Sequence, residues 1–427
     1  MQPRDPQQTP EEGEIAVIGA GVTGLSIALR LAREGHEVTL IAPTDQAGEG
    51  ASHGNAGVIA DYAVLPLGQP GLLRDLPRLL LSSTSPLSIR AAAIATLAPW
   101  LLRFLRQSLP RPAQRNAQAL ASLMNRAGSG WQDLAAEIDG TELLRANGAL
   151  LLYESERESI AAEGGRAWQR ALGVQLEQLG GAEVAQMEPA LAAAVSAGKV
   201  AGAAYFPDGR SVTDPTAMMR KLANATAMAG VRRIDTHVTG LRPGGRGGAS
   251  LTGPGLSLTA RHVVIAAGAW SAPLAQAAGA RVPLETERGY HLEFDAAASR
   301  FSRPVSPERR GFYFCPMAGR LRVAGTVELG GLNAPAAPRR LRALERHARH
   351  FLPDLPPPCR QWLGFRPSLP DSLPVIGPVP GARGVWLAFG HGHLGLTLAP
   401  VTAEVIADGV AGRQAALDPA PFRPGRF

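Results

Sequence analysis

The feature that most restricts the fold of this chain is a glycine-rich hexapeptide near its start. Residues 14–19 form a short apolar run that predicts a buried strand, and Gly19-Ala20-Gly21-Val22-Thr23-Gly24 begins at its end. Residues 22–33 have helical periodicity, and residues 36–41 predict a second strand. Strand, helix and strand within about thirty residues indicate a βαβ unit with a parallel sheet.

Each glycine of the hexapeptide is required for a different physical reason. Gly19 permits the tight turn, Gly21 lets the main chain approach a pyrophosphate, and Gly24 lets helix and strand pack closely. The helix N-terminus then faces the phosphates, so the motif predicts dinucleotide binding. An acid that binds the adenosine ribose is expected near position 42, where this chain has Ala42. Either Asp45, the next acid, binds the ribose from the loop, or the ribose is held another way.

Composition and charge exclude several classes of protein. Hydrophobic residues make up 45% of the 427 residues and charged residues 19%, which excludes a disordered chain. Cys315 and Cys359 provide neither a disulfide framework nor metal-ligand spacing, which fits a reducing compartment. The first 13 residues are polar and contain proline, so we expect no secretory signal and a disordered tail there.

The net charge of +7 arises in one stretch between Tyr62 and Trp131, which has eight arginines and a single acid, Asp75. The arginines are Arg74, Arg78, Arg90, Arg103, Arg106, Arg111, Arg115 and Arg126. The stretch has no nucleic-acid motif, so we expect no nucleic-acid binding. Residues 71–109 are leucine-rich and predict helices broken by Pro77, Pro86 and Pro99. Only twelve uncharged residues separate Arg90 from Arg103, too few for a membrane span.

The C-terminal third carries further motifs that favour FAD over NAD, because NAD-dependent enzymes need nothing similar there. Residues 261–271 (RHVVIAAGAWS) form a predicted strand that runs into Gly268. Residues 364–367 (GFRP) and 370–377 (PDSLPVIG) follow. Residues 390–397 (GHGHLGLT) then lead into a helix.

Together with residues 52–57 (SHGNAG), 288–290 (RGY) and 322–328 (RVAGTVE), these motifs resemble those of the FAD-dependent D-amino acid oxidase/glycine oxidase superfamily. The resemblance is greatest to the D-amino acid dehydrogenase small subunit and covers residues 14–427. It implies a mixed α/β fold, with a Rossmann-like FAD-binding domain and an antiparallel-sheet substrate domain that roofs the flavin. The implied FAD-binding segments are 14–61, 213–280 and 363–427, and the implied substrate segments are 62–212 and 281–362.

The motif and the resemblance together imply a cofactor site. Its expected residues are Gly19, Gly21, Val22, Thr23, Gly24, Asp45, Ser52, His53, Asn55, Ala56, Gly57, Gly268, Trp270, Gly392, His393, Leu394, Gly395, Leu396 and Thr397. Main-chain N–H groups of residues 390–397 would face the N1–C2=O edge of the flavin, where negative charge grows on reduction. Thr397 would add a hydroxyl there. We expect no metal, because His391 and His393 lack a third ligand.

Arg366 matches the arginine that binds the substrate carboxylate in this superfamily. A planar guanidinium that holds a carboxylate through two hydrogen bonds fixes both its position and its orientation. His53 is a candidate for receiving the amine proton, directly or through water, and a packing or flavin-contacting role is the alternative. Tyr290 and Tyr313 either line the pocket and bind the carboxylate or pack in the core.

The activity implied by the resemblance is FAD-dependent oxidative deamination of a D-amino acid. Hydride moves from Cα to flavin N5, and the imine is hydrolysed to a 2-oxo acid and ammonia. The electrons pass to a quinone or similar acceptor. One alternative is an oxidase of glycine, sarcosine or a D-imino acid such as hydroxyproline; another is a non-catalytic FAD-binding subunit of a complex. Residues 364–367 argue against the second, because a scaffold needs no carboxylate clamp.

The expected partners follow from the same observations. A small amino acid or amine is the substrate. The stretch from Arg74 to Arg126 either docks on an anionic membrane surface that holds a quinone, or is a solvated face or a contact with a partner subunit. We expect a cytoplasmic protein, with the inner face of the membrane as an alternative location. Cys315 and Cys359 are expected to be buried small residues rather than flavin-linking thiols.

Overall fold

The computed structural model describes residues 11–44, 50–71, 87–295 and 300–427. Its strands are β1 (Glu11–Ile18), β2 (Val38–Ile41), β3 (Val58–Ile59), β4 (Leu87–Ile89), β5 (Leu144–Arg145), β6 (Ala149–Tyr153), β7 (Glu177–Gly180), β8 (Gly202–Phe206), β9 (Arg210–Val212), β10 (Arg232–Ile234), β11 (Gly240–Pro243), β12 (Ala249–Gly253), β13 (Leu256–Ile265), β14 (Glu285–Asp295), β15 (Val305–Pro307), β16 (Phe312–Met317), β17 (Arg320–Leu329), β18 (Arg360–Ser368), β19 (Val375–Pro378) and β20 (Val385–Phe389). Its α-helices are α1 (Val22–Arg33), α2 (Ile94–Gln107), α3 (Pro110–Glu137), α4 (Glu156–Ala171), α5 (Gly181–Met187), α6 (Ala192–Ser196), α7 (Pro215–Met228), α8 (Ser271–Ala277), α9 (Pro338–Phe351) and α10 (Gly395–Val410).

The first sheet contains the predicted βαβ unit. Strands β10, β2, β1 and β13 lie side by side in that order and are parallel. The last residues of β13 also pair in parallel with β20, and its first residues pair with the antiparallel β12. The parallel part is a Rossmann-like arrangement, which confirms the predicted fold class.

Strand β1 shows why its sequence is a continuous apolar run. Ile15 and Val17 pack into the core on the side of α1 and α10, whereas Ala16 and Ile18 pack into the core on the other face. All four are buried. A strand covered on both faces needs apolar residues at every position, and parallel sheets are usually covered in this way.

The second sheet is largely antiparallel and has the order β18-β14-β17-β16-β15-β6-β8-β7, with β4 beside β17. Its central strand β14 has β17 on one side and β18 on the other. Glu328 lies fully buried between β14 and β17, where it binds Arg288 Nε (3.0 Å) and the hydroxyl of Tyr290 (2.7 Å). Residues 288–290 and 328, part of the family resemblance, thus form a closed buried network.

The segment predicted as broken helices differs from that expectation. Strand β4 occupies residues 87–89, and Pro99 lies inside α2 rather than ending it. Pro99 removes the hydrogen bond to the carbonyl of Ala95, and because Ala95 is exposed, water can solvate that carbonyl. Pro77 and Pro86 lie outside the described residues.

The arginine stretch is also less uniform than its sequence indicates. Arg90 pairs with Glu328 (3.3 Å) and Arg126 pairs with Glu404 (2.5 Å), so acids from distant parts of the chain contact both arginines. Arg103 and Arg106 are exposed on α2. Within the described ranges, no helix is both long and apolar enough to cross a membrane.

Helix α3 joins the two parts of the molecule. It belongs to the segment predicted as substrate domain, yet Trp131 Nε1 donates to the carbonyl of Leu396 at the start of α10 (2.7 Å). Gly130 of α3 packs closely against Pro400 of α10, since a Cβ on Gly130 would lie 3.1 Å from the Cβ of Pro400. Helix α3 therefore supports α10, the helix that the 390–397 motif leads into. The predicted domain boundaries stay a prediction.

Candidate functional site

A cavity of about 1090 Å³ is lined by residues of both sheets. The predicted site residues that line it are Gly19, Gly21, Val22, Thr23, Ser52, His53, Asn55, Ala56, Gly268, Trp270, Tyr290, Tyr313, Arg366, Gly392, His393, Leu394, Gly395 and Leu396. Segments that are hundreds of residues apart in sequence therefore meet around one space. Gly24, Gly57 and Thr397 do not line it, and Asp45 lies outside the described residues.

The glycine-rich turn has the geometry that its sequence predicts. Gly19 has a φ of +111°, and a Cβ there would overlap the carbonyl of Ala266, which directly follows the neighbouring strand β13. A Cβ on Gly24 would overlap the carbonyl of Gly19, so Gly24 serves helix–strand packing rather than the cavity. Gly21 leaves its main chain open to the cavity, and among the described residues only the Ser52 hydroxyl lies near the position of a Cβ (3.3 Å).

The N-terminus of α1 points into this part of the cavity. Val22 N–H donates to Ser52 Oγ (3.0 Å), which links residues 50–57 to the helix start. Gly21, Val22 and Thr23 all line the cavity at the positive end of the helix dipole. A helix N-terminus without side chains in the way is suited to bind a phosphate group, so this end fits a dinucleotide cofactor.

The end of β2, where a ribose acid was expected, is apolar. Ala42 and Pro43 line the cavity, and Ala42 N–H donates to the carbonyl of Ile234 on β10 (3.1 Å). The polar lining nearby comes from residues after β10, including Thr236 and His237. Sequence reasoning missed these residues because β10 is only three residues long and has no motif.

Residues 50–57 are hydrogen-bonded to side chains of the second sheet. Gly54 carbonyl accepts from His291 Nδ1 (3.0 Å), and Asn55 carbonyl accepts from Arg322 Nη1. Asn55 Oδ1 in turn accepts from Gly57 N–H (2.7 Å), so the loop is internally tied as well. His53 lines the cavity, and burial lowers its pKa, which favours the neutral imidazole.

Both histidines of the 390–397 turn line the cavity. His391 is buried and hydrogen-bonds through Nε2 to Thr402 Oγ1 of α10 (2.9 Å). His393 lines the cavity, and burial together with the charge of Arg366 lowers its pKa to about 4. The Thr397 hydroxyl accepts from Ala60 N–H (3.1 Å), so it braces the main chain instead of lining the cofactor site.

Arg366 lies on β18 and reaches across β14. Its Nη1 donates to the carbonyl of Thr326 on β17 (3.1 Å), and its guanidinium covers Gly289, where a Cβ would overlap it. Arg366 lines the cavity, and its guanidinium has further N–H groups beyond the one that donates to Thr326. An arginine that binds a carboxylate needs such N–H groups. Glu287, directly opposite Arg366 on β14, also lines the cavity.

The two predicted tyrosines are placed differently. Tyr290 is 1% exposed, and its hydroxyl donates to Glu328 and accepts from Ala337 N–H (3.1 Å), so that hydroxyl is already engaged. Its geometry favours the packing alternative. Tyr313 lines the cavity with its hydroxyl 3.4 Å from that of Tyr62, which leaves it available to a ligand.

The cysteines lie away from the cavity lining. Cys315 is buried, and burial raises the pKa of its thiol to about 12. Cys359 is exposed rather than buried as expected, because it follows a turn before β18 and donates from Sγ to the carbonyl of Glu293 (3.2 Å). Among the residues that sequence reasoning missed, Glu287 and His291 line the cavity. Only the strand register could have identified them.

Comparison with known proteins agrees with this geometry. The family model of DAO, FAD dependent oxidoreductase, matches residues 14–409. The D-amino-acid oxidase of Bradyrhizobium diazoefficiens is 35% identical, with 98% of this chain and all of that protein covered. D-amino acid dehydrogenase 2 of Pseudomonas aeruginosa is 32% identical, with 95% of this chain and 96% of that protein covered.

A solved structure shares the whole architecture. Glycine oxidase from Geobacillus kaustophilus superposes with a TM-score of 0.77 at 26% identity, over 98% of this chain and 99% of its own. These matches confirm the fold, the cofactor FAD and the oxidoreductase class that the motifs predict. The chain belongs to the DAO family of FAD-dependent oxidoreductases.

Proposed function

We propose that this protein oxidatively deaminates D-amino acids to 2-oxo acids and ammonia. The observation that carries the proposal is the placement of Arg366, with free guanidinium donors, in the same cavity as the glycine-rich turn. Relatives named D-amino-acid oxidase and D-amino acid dehydrogenase, aligned over nearly the whole chain, support the choice of substrate.

The first-sheet end of the cavity would hold FAD. Gly21 and Thr23 would bind its pyrophosphate through main-chain N–H groups at the start of α1, beside the Val22 N–H that donates to Ser52 Oγ. Main-chain groups of residues 392–396 would contact the flavin ring. FAD, when bound, supplies the chemistry by accepting the hydride that leaves the substrate Cα.

The second-sheet end would hold the substrate. Arg366 would bind the carboxylate through two hydrogen bonds and so orient Cα. The amine must lose a proton before oxidation, and His53 is a cavity residue that can receive it, because its lowered pKa keeps the imidazole neutral. Tyr313 would contribute a hydroxyl to the same end.

An anaerobic reduction screen tests the proposal. The FAD-loaded protein is mixed with D- and L-amino acids, glycine, sarcosine and hydroxyprolines, and the flavin absorbance is followed. Bleaching by D-amino acids in preference to the L-enantiomers is expected. Bleaching by sarcosine or hydroxyproline alone would support the imino-acid alternative, and no bleaching by any compound would contradict an enzyme of this class. Admitting oxygen or a quinone afterwards identifies the acceptor.

We propose further that α2 and the start of α3 dock on an anionic membrane surface that holds the quinone acceptor. Ile94, Leu102 and Leu109 are exposed large apolar side chains, and Arg103 and Arg106 lie exposed among them. Apolar and basic side chains on one helical segment are typical of interfacial binding, which anionic lipids strengthen.

Vesicle sedimentation tests this docking. Binding to anionic vesicles that high salt abolishes is expected, because the attraction fades within a Debye length of about 8 Å. A variant with Arg103, Arg106, Arg111 and Arg115 changed to Gln, all four exposed, should lose that binding and keep its activity with a soluble dye. Equal partitioning of the two proteins would contradict the docking.

A further inference from the structure

Three glutamates of the second sheet each lie opposite an arginine of a neighbouring strand. Arg288 lies opposite Glu328 and Glu293 opposite Arg322 between β14 and β17. Glu287 lies opposite Arg366 between β14 and β18. Residues directly opposite in an antiparallel pair project from the same face of the sheet, so each glutamate has an arginine as its nearest cross-strand neighbour.

Two of these pairs are closed ion pairs. Arg288 Nε binds Glu328 Oε2 at 3.0 Å, and Arg322 Nη2 binds Glu293 Oε1 at 2.7 Å. All four side chains are buried. Buried charged side chains usually form ion pairs, because an unpaired buried charge loses its hydration without compensation.

The third pair is open. Glu287 is 4% exposed, and its Oε2 has no hydrogen-bond partner within the described ranges. Arg366 donates instead to the carbonyl of Thr326, on the far side of β14. Gly289 makes this possible, since a Cβ there would occupy the place of the guanidinium. The main chain at Thr326 has a φ of +61°, a strained value for threonine. The conformation that presents its carbonyl to Arg366 therefore costs conformational energy.

The open pair is also the pair that lines the cavity. Glu287 and Arg366 both border the large cavity, and Glu287 borders a small adjoining pocket next to residues 390–394 as well. Burial raises the pKa of the Glu287 carboxyl, and the positive charge of Arg366 and a hydrogen bond with Ser368 oppose that rise. A cation placed beside Glu287 would complete the missing pairing.

We infer that Glu287 binds the ammonium group of the substrate while Arg366 binds its carboxylate, so that the open pair recognises the zwitterion. The inference rests on the proposed function, because an amino acid is the ligand whose two charges match. An α-amino acid supplies an anion to Arg366 and a cation to Glu287 at once, which leaves neither buried charge unpaired. Glu287 is then a specificity-determining residue that discriminates amino acids from carboxylic acids without an amine.

The test compares two ligands with the same carbon skeleton. The first is the D-amino acid that bleaches the wild-type flavin fastest, and the second is the carboxylic acid that lacks only the amine. Glu287→Gln keeps the size of the side chain and removes its charge. We expect the KM for the D-amino acid to rise roughly 10- to 100-fold, the range for a hydrogen bond to a charged group. Binding of the amine-free acid, read from the flavin spectrum, should stay unchanged or become tighter.

Glu285→Gln is the matched control, because Glu285 lies on the same strand and does not line the cavity. It should leave both ligands unaffected. Equal weakening of both ligands in Glu287→Gln would overturn the inference, since Glu287 would then act only by positioning Arg366. An unchanged KM for the D-amino acid would overturn it too. FAD content, measured for each variant, reports folding, and a wild-type protein that no D-amino acid bleaches would contradict the proposed function instead.

Discussion

At the first-sheet end of the cavity the lining is mostly main chain and small residues, whereas at the second-sheet end it consists of charged and aromatic side chains. Gly19, Gly21 and Thr23 represent the first end, and Glu287 and Arg366 the second. The glycines of the first end lie in one short segment at the start of a helix. The second is assembled from β14, β17 and β18, which are separated in sequence and adjacent in the sheet.

This difference shows how the two ligands are recognised. A phosphate group can be bound by main-chain N–H groups, so the first end requires the absence of side chains. A substrate with a carboxylate and an amine requires charges at fixed places, so the second end requires particular side chains. Substitutions at the first end should therefore change cofactor content, and substitutions at the second end should change catalysis.

The largest effect is expected at Gly21. Gly21→Val would place a branched side chain where the pyrophosphate approaches, and we expect a folded protein without FAD. In the part of the chain that the structure describes, only Ser52 Oγ lies near the added Cβ, so folding should survive. Flavin absorbance and circular dichroism measure the two properties. Gly164→Val is the control, because a Cβ there meets no described atom within 4 Å. A Gly21→Val protein with a full complement of FAD would contradict the assignment of the turn.

The second effect is expected at Arg366. Arg366→Ala should remain yellow and lose about 30- to 3000-fold in kcat/KM, since losing one partner of a buried charge pair costs about 2–5 kcal/mol. Steady-state kinetics with the fastest D-amino acid measure it. Arg360→Ala, an exposed arginine on the same strand, should retain full activity. An unchanged kcat/KM in Arg366→Ala would remove this residue from the substrate site.

Thr397 belongs to the cofactor motif at the first end of the cavity, yet its hydroxyl binds the main chain at Ala60. Its substitution should therefore change stability rather than cofactor binding. Thr397→Val leaves the N–H of Ala60 buried without its acceptor. The free energy of unfolding should fall by about 1–3 kcal/mol, the cost of an unsatisfied buried donor. Denaturant unfolding measures the loss. The flavin spectrum should be unchanged, and a shifted spectrum would show that the hydroxyl reaches the flavin after all.

The smallest effect is a pH dependence of stability at His391. Burial lowers the pKa of this histidine from 6.5 to about 4, so the unfolded chain takes up the proton first as the pH falls. The stabilisation is complete above the unfolded pKa and is lost as the pH falls towards the folded one. Between about pH 8 and pH 5, wild type should lose about 2 kcal/mol more than His391→Gln, as urea unfolding measures. Parallel losses in both proteins would contradict the assignment.

The sequence predicted the first end of the cavity better than the second for a physical reason. A turn that needs glycine at fixed spacing is visible in the sequence, and α1 occupies residues 22–33, the range that its periodicity predicts. Arg366 was identified from a motif that resembles a known family. Glu287 has no such motif, and its importance depends on a cross-strand register that only the fold reveals.

Two other departures have related causes. Tyr290 and Thr397 sit within family motifs, but their hydroxyls are engaged by Glu328 and by Ala60, partners about 40 and more than 300 residues away. No local pattern indicates such partners. Arg90 and Arg126 were counted as part of a basic stretch, although both form ion pairs with acids from elsewhere in the chain.

A crystal structure of the FAD-loaded protein with a bound 2-oxo acid tests most directly whether one cavity holds both ligands at opposite ends. We predict the FAD pyrophosphate at Gly21, Val22 and Thr23, and the carboxylate of the 2-oxo acid on the guanidinium of Arg366. A carboxylate bound away from Arg366, or a pyrophosphate away from the start of α1, would contradict the account.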